Sequence, residues 1–344
     1  MYATIDATGY NETMRYTFVI LMSFAASLSS TTTLVADAPA KAIDTIETVK
    51  KSLPYLEREG VAWMDKRGCV SCHQIPFMLW SLSAADEAGF DVDADKLNRW
   101  REWSTDVVNF VKPEQKKDVD RKDAMSANID TMSAILLAVD DKPTTQWRLS
   151  FADSLVENQK KNGSWKSCGQ LPAQKRPTEE TTSVTAAWTA LALHSQDNDK
   201  FDFDAAIAAV DATSKAKSTE WWASRLLLSS QVNDGRLAEL RAYLLESQND
   251  DGGWGWTIGE KSDAIGTGMA LYSLRVTAND SASNAKLTRA TKFLIETQHE
   301  NGSWKVPGTK KSTRKRNTPT SNYWGTAWAV IGLLAKTPEP SSDD

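Results

Sequence analysis

Cysteine and histidine are scarce in this chain of 344 residues, with three of each. The scarcity makes any cluster of the two hard to assign to chance. No part of the chain past the N-terminal region alternates apolar and polar residues with the two-residue period of a strand, which excludes a sheet-built core. No long basic segment dominates and the formal net charge is -5, so nucleic acid is excluded as a partner. Past the N-terminal region no apolar run is long enough to cross a bilayer. What remains is 41% apolar and 25% charged, the balance of a globular chain large enough for one sizeable core.

The N-terminus reads as an export signal. Arg15 precedes the apolar run Tyr16–Leu28, a Ser/Thr stretch follows, and Leu34-Val35-Ala36 stands before Asp37. A positive flank, a short apolar core and a small-residue cleavage site define a secretory signal peptide over residues 1–36. Asp6 and Glu12 are foreign to such a segment, and Met14 is the alternative start. The mature protein is expected to be exported, periplasmic or extracellular, with at most surface contact to a membrane. Residues 37–338 form the expected single domain and 339–344 a disordered tail.

Three segments share the pattern Gln-x-x-x-Gly-x-Trp: Gln159 to Trp165, Gln248 to Trp254 and Gln298 to Trp304. Self-similarity on this scale marks a helical-repeat architecture. Each copy is expected to stop a helix, with Gly in the left-handed turn and Trp folding back as an anchor. The rest of the chain reads as six helix pairs. The first helix of a pair is amphipathic, as in Ala290-Thr-Lys-Phe-Leu-Ile-Glu296. Its partner is small and apolar all round, as in Ala186-Ala-Trp-Thr-Ala-Leu-Ala-Leu193. That asymmetry predicts an outer amphipathic ring around an inner buried one. Long loops after each Trp (166–180, 257–262 and 305–320) lie where function is usually placed.

The Gln-x-x-x-Gly-x-Trp turns resemble the QW repeats of squalene and other triterpene cyclases. The six-pair ring is similar to the (α/α)6 toroid those enzymes share with protein prenyltransferase β-subunits, over roughly residues 43–336. The resemblance implies an all-α toroid and an isoprenoid or other apolar small molecule as ligand. The family's activities fit less well. Cyclases of this type protonate an alkene through a DxDD motif. The nearest acidic cluster here, Asp118-Val-Asp120-Arg-Lys-Asp123, is interleaved with cations. Prenyltransferases hold zinc through an Asp-x-Cys pair and a later His. Asp263 matches that register, but Ile265 replaces the Cys, and neither His194 nor His299 stands at the ligand position.

One motif lies outside the resemblance. Cys69-Val-Ser-Cys72-His73 is the C-x-x-C-H attachment signature of c-type haem. Two thiols at this spacing reach the same porphyrin edge, and the adjacent imidazole binds iron as proximal ligand. Cys69, Cys72 and His73 are therefore the expected cofactor site, with His73 on the haem iron and Met125, Met132, Met269, His194 or His299 as distal candidates. A Cys69–Cys72 disulfide competes, since export permits one. A zinc site lacks a visible fourth ligand.

Alignment of inner helices on Trp80, Trp188, Leu271 and Trp328 puts Cys72, Glu180, Asp263 and Thr320 at equivalent starts. Glu180 and Asp263 read either as helix caps or as proton-handling groups in a bowl shared with His73. Cys168 is the remaining thiol, in a loop that could cover that bowl. The basic run Lys310–Arg316 is a solvated loop or a contact for an anionic head group or redox partner. The reading is a haem-c toroid acting in electron transfer or apolar-ligand binding. Its alternatives are a terpene-cyclase-class enzyme on an isoprenoid and a non-catalytic scaffold closed by the disulfide.

Overall fold

The computed structural model describes residues 38–70, 74–139, 144–168, 173–196, 198, 200–213, 215–278 and 284–337. The signal segment, Cys72, His73 and the tail lie outside the described residues. Six helix pairs carry the fold. They are α1 (Ala38–Arg67) with α2 (Ile75–Glu87), and α3 (Ala94–Thr105) with α5 (Ile129–Ala138), the short α4 (Arg121–Ser126) lying between. Then follow α6 (Gln146–Glu157) with α7 (Thr178–His194), and α8 (Phe203–Asp211) with α9 (Thr219–Val232). The last two are α10 (Leu237–Glu246) with α11 (Ala264–Val276), and α12 (Asn284–Thr297) with α13 (Pro319–Leu334).

The second helices form a closed inner ring. Helix α2 packs on α5, α5 on α7, α7 on α9, α9 on α11, α11 on α13, and α13 back on α2. Outside them, α12 returns to α1. Burial follows the sequence pattern. Helix α12 buries only Leu287, Ala290 and Leu294, an i, i+3, i+7 stripe. Helix α7 buries residues on all sides, Val184 to Ala187 and Thr189 to Leu193 among them. This is an all-α (α/α)6 toroid.

The three Gln-x-x-x-Gly-x-Trp turns have one geometry and one purpose. Each Trp is buried, and its indole donates to a helix carbonyl ten residues upstream: Trp165 to Leu155, Trp254 to Leu244 and Trp304 to Leu294, at 2.7–3.0 Å. Each Gly has positive φ (77°, 89° and 81° at Gly163, Gly252 and Gly302). Each Gln side chain donates to the backbone of the next outer helix or its lead-in: Gln159 to Asp202, Gln248 to Lys286, Gln298 to Thr48. The third bond spans the ends of the chain and closes the outer ring. A Cβ on Gly302 would stand 1.9 Å from the Lys51 carbonyl oxygen, so glycine is what lets α1 approach.

At one end of the toroid the inner-helix carbonyls are tied down by arginines. Arg148 donates to the carbonyls of Leu136 and Val139, Arg241 to Leu274, and Arg275 to Gly332 and Leu333. The opposite end, where the inner helices begin, carries the acids and the long loops.

One boundary departs from the sequence pattern, which predicts a helix over Asp204–Ala216. Helix α8 stops at Asp211, because Thr213 turns to share its hydroxyl with Ser183, which also donates to the Ala209 carbonyl. The polar stretch after α3 is folded. Asp106 caps a 3-10 turn, and Asp120 accepts from the Asp123 amide to start α4. Of the acidic cluster, Asp120 thus serves as a helix cap.

Candidate functional site

A cavity of ≈ 530 Å³ opens between the starts of the inner helices, of which ≈ 50 Å³ would admit the centre of a water molecule. Its apolar lining includes Phe77 and Trp80 of α2, Trp188 of α7 and Trp324 of α13. Ring centroids of Trp80 lie 5.6 Å from Trp328, 5.7 Å from Tyr272 and 6.3 Å from Trp188, so a plug of aromatic side chains closes the axis of the toroid. Trp80 and Trp188 also wall a second cavity at the far end, where His194 and Gln231 line the opening.

The polar wall is built from helix starts. Asp130 of α5, Glu180 of α7, Glu220 of α9 and Asp263 before α11 put a carboxylate at four successive inner-helix N-termini, where the helix dipole favours negative charge. Their environments separate them. Glu180 is fully buried, and accepts from the Lys217 and Ser218 amides and the Ser218 hydroxyl at 2.5–3.0 Å. It pins the start of the next pair. Asp263 accepts from the Ile265 and Gly266 amides, capping its own helix, and from the Trp256 amide. Burial pushes its pKa up to about 6 against the pull of those three donors. The structure does not bring Glu180 or Asp263 into the cavity. Both are consumed by backbone donors.

Glu220 and Asp130 do line it. Glu220 pairs with Arg176 at 2.7 Å, both side chains nearly inaccessible to solvent. Arg176 also donates to Thr181 and Ser218 and lies over the Trp256 ring at 5.3 Å. Asp130 accepts from the Thr185 hydroxyl at 2.7 Å and the Cys168 amide at 2.8 Å, and burial pushes its pKa up to about 6. The register alignment missed Asp130 and Glu220 because it skipped α5 and α9. Extending it to every inner helix would have found them. Arg176 had no sequence signal beyond its place in a long loop.

That loop is part of a cover. Gln174 bridges to Lys310, and the Lys175 amide donates to the Thr309 carbonyl. Glu260 of the intervening loop pairs with Lys175 and with Arg314. The basic run is thus partly neutralised and joined to neighbouring loops. Cys168 is a buried thiol whose pKa is pushed up to about 11 by burial and by Asp130.

The entry to α2 holds the thiol motif, of which Cys69 is described. Cys69 is half-buried, and its carbonyl accepts the Trp63 indole N–H at 2.9 Å. Burial raises its thiol pKa, opposed by nearby Lys116, Arg67 and Lys112. The Val70 amide donates to the Asn109 carbonyl at 2.7 Å, fixing the strand of chain before the helix. Of the distal candidates, Met132 and Met269 are fully buried in the core and Met125 packs against it. His299 sits in the third repeat turn, its amide donating to the Ser303 carbonyl. His194 faces the far cavity and packs on Phe203. None of the five lines the upper cavity.

No protein-family model and no curated protein matches the sequence. Solved structures share the fold. A protein from Actinoplanes superposes with a TM-score of 0.54 at 12% identity, covering 84% of this chain and 98% of that one. The type II terpene cyclase MstE from Scytonema gives 0.52 in two variant structures, one with its product merosterolic acid A and one with its substrate geranylgeranyl dihydroxybenzoate. Identity is 13% and 12%, with 86% of this chain and 98% of the cyclase covered in both. Likeness at this identity establishes the toroid and leaves the activity open.

Proposed function

We propose that this chain is an exported toroid that carries one covalently attached haem c at the mouth of its central cavity and binds a small molecule in that cavity. Cys69 and Cys72 would supply the thioether links and His73 the proximal iron ligand. The observation that carries the reading is the position of the C-x-x-C-H string. It leads directly into α2, the helix whose Phe77 and Trp80 wall the cavity. The described residues suit the group. The Cys69 thiol is partly accessible and its backbone is held by Trp63. When bound, the haem supplies one-electron chemistry. The chain's own part is to seat the group, exclude water with the aromatic plug and cover the mouth with its interlocked loops.

Asp130 raises the case for a cyclase. A carboxyl in an aromatic-lined cavity with a raised pKa has the character of a proton donor, and the cyclase neighbour binds an isoprenoid. Volume decides against it. Room for water-sized groups is ≈ 50 Å³, and one water needs roughly 10–15 Å³ by that measure, so about four such groups fit. A geranylgeranyl chain does not.

The test is the visible spectrum of the full chain made in a host with cytochrome c maturation. A red protein with a c-type spectrum is expected, Cys69→Ser with Cys72→Ser should be colourless, and His73→Ala should keep the attachment while altering iron ligation. A colourless wild-type protein from a host that matures a control cytochrome would refute the haem assignment.

A further inference from the structure

The charges around the central cavity do not cancel. Arg176, which also lines the cavity, pairs with Glu220 and donates to Thr181 and Ser218, so two carboxylates and one guanidinium leave one negative charge over. Asp130 keeps only neutral donors, the Thr185 hydroxyl and the Cys168 amide, and among the described residues no cation pairs with it. Asp130 is half-buried, and an ionised carboxylate drawn partly out of water with no ion-pair partner is costly, for which a bound cation is the direct remedy.

The rest of the lining says which cation. Phe77, Trp80, Trp188 and Trp324 bring aromatic surface to the same space as the Asp130 carboxyl. Aromatic faces attract positive charge through their quadrupoles, most strongly where water is excluded. A metal ion would need several oxygen ligands, and the cavity wall offers few. A bare ammonium brings three N–H donors that need acceptors, and beyond the two carboxylates the wall is chiefly aromatic and aliphatic. An alkylated ammonium needs one counter-charge and apolar contact elsewhere. The free space, about four water-sized groups, matches a trimethylammonium head.

We infer that the central cavity is a receptor for a small organic cation of the methylated-ammonium class, with Asp130 as counter-ion and Phe77, Trp80, Trp188 and Trp324 as its cage. This rests on the cavity being a ligand site and is independent of the haem. It assigns the ligand class that the fold leaves open.

The test uses the full chain and its tryptophan emission. Choline and tetramethylammonium are titrated alongside 3,3-dimethyl-1-butanol, the uncharged isostere of choline. Choline should bind at least about tenfold more tightly than the isostere, a gap within reach of a desolvated cation–π cage and one ion pair. Asp130→Asn should remove most of that gap. Equal binding of choline and isostere by the wild type, or binding of neither, overturns the inference without recourse to any variant. Repeating the titration on Cys69→Ser with Cys72→Ser separates the two assignments. A colourless wild type that binds choline sinks the haem alone, and a red one that ignores choline sinks this site alone.

Discussion

Asp130 shows how much one residue's surroundings decide. It has the same helix-start position as Glu180 and Asp263, yet it alone faces the cavity with no charged or multiple backbone partner. Its pKa of about 6 in the fold stands above the ordinary unfolded value of about 3.9. A raised carboxyl binds its proton more tightly when folded. Its effect on stability is therefore neutral below about pH 4 and increasingly unfavourable up to about pH 6, by roughly 2–3 kcal/mol in total. Asp130→Asn removes that loss. Thermal or urea unfolding of both proteins should show the variant gaining on the wild type by that amount between pH 4 and pH 7. The fixed offset from an amide facing the Cys168 N–H does not alter the trend. A difference that stays constant with pH would show that Asp130 is not desolvated. Asp130 and Glu220 were within reach of the helix-start register once it is extended to α5 and α9, whereas Arg176, a single charge in a long loop, gives no local signal of meeting them.

At the scale of elements, the repeat was legible because its parts are local. The Gln, Gly and Trp of each copy lie within one turn, and the sequence pattern alone implied a left-handed glycine and a buried anchor. What the pattern did not disclose is that each glycine also admits the neighbouring outer helix. Gly302→Ala tests this against Gly259→Ala. Both have positive φ, 81° and 77°, but a Cβ at Gly302 meets the Lys51 backbone whereas at Gly259 it meets nothing within 4 Å. Backbone strain of about 1 kcal/mol is common to both. The Gly302 variant should lose about 2–3 kcal/mol or more by denaturant unfolding, because the outer ring must part there. Equal losses would mean that the turn, not the approach of α1, is what glycine serves. Helix ends were less legible than helices. The early stop of α8 depends on the Thr213–Ser183 hydroxyl contact, which joins two pairs and cannot be seen in either.

For the molecule as a whole, ring closure turns a chain of repeats into one cavity. Inner helices that are apolar all round can only face each other, and six pairs bring the last against the first. The closed form then places the inner-helix starts around one mouth, where two acids and an arginine-bearing loop meet from distant parts of the sequence. The aromatic plug below them narrows the cavity along the axis of the toroid. Fold was readable from periodicity. The cavity's contents were not, because they depend on which helix start each loop happens to cover. The C-x-x-C-H string is a local signal of spacing alone, and the haem it suggests is a proposal for experiment.

The assignment of haem to that string is the claim on which the functional account turns, and the mass of the denatured full-length product tests it most directly. Protein matured in a c-haem-competent host should have the mass of the signal-cleaved polypeptide plus one haem, with the added mass surviving denaturation. A polypeptide mass lowered by two hydrogens would instead establish the Cys69–Cys72 disulfide and leave the toroid without its cofactor.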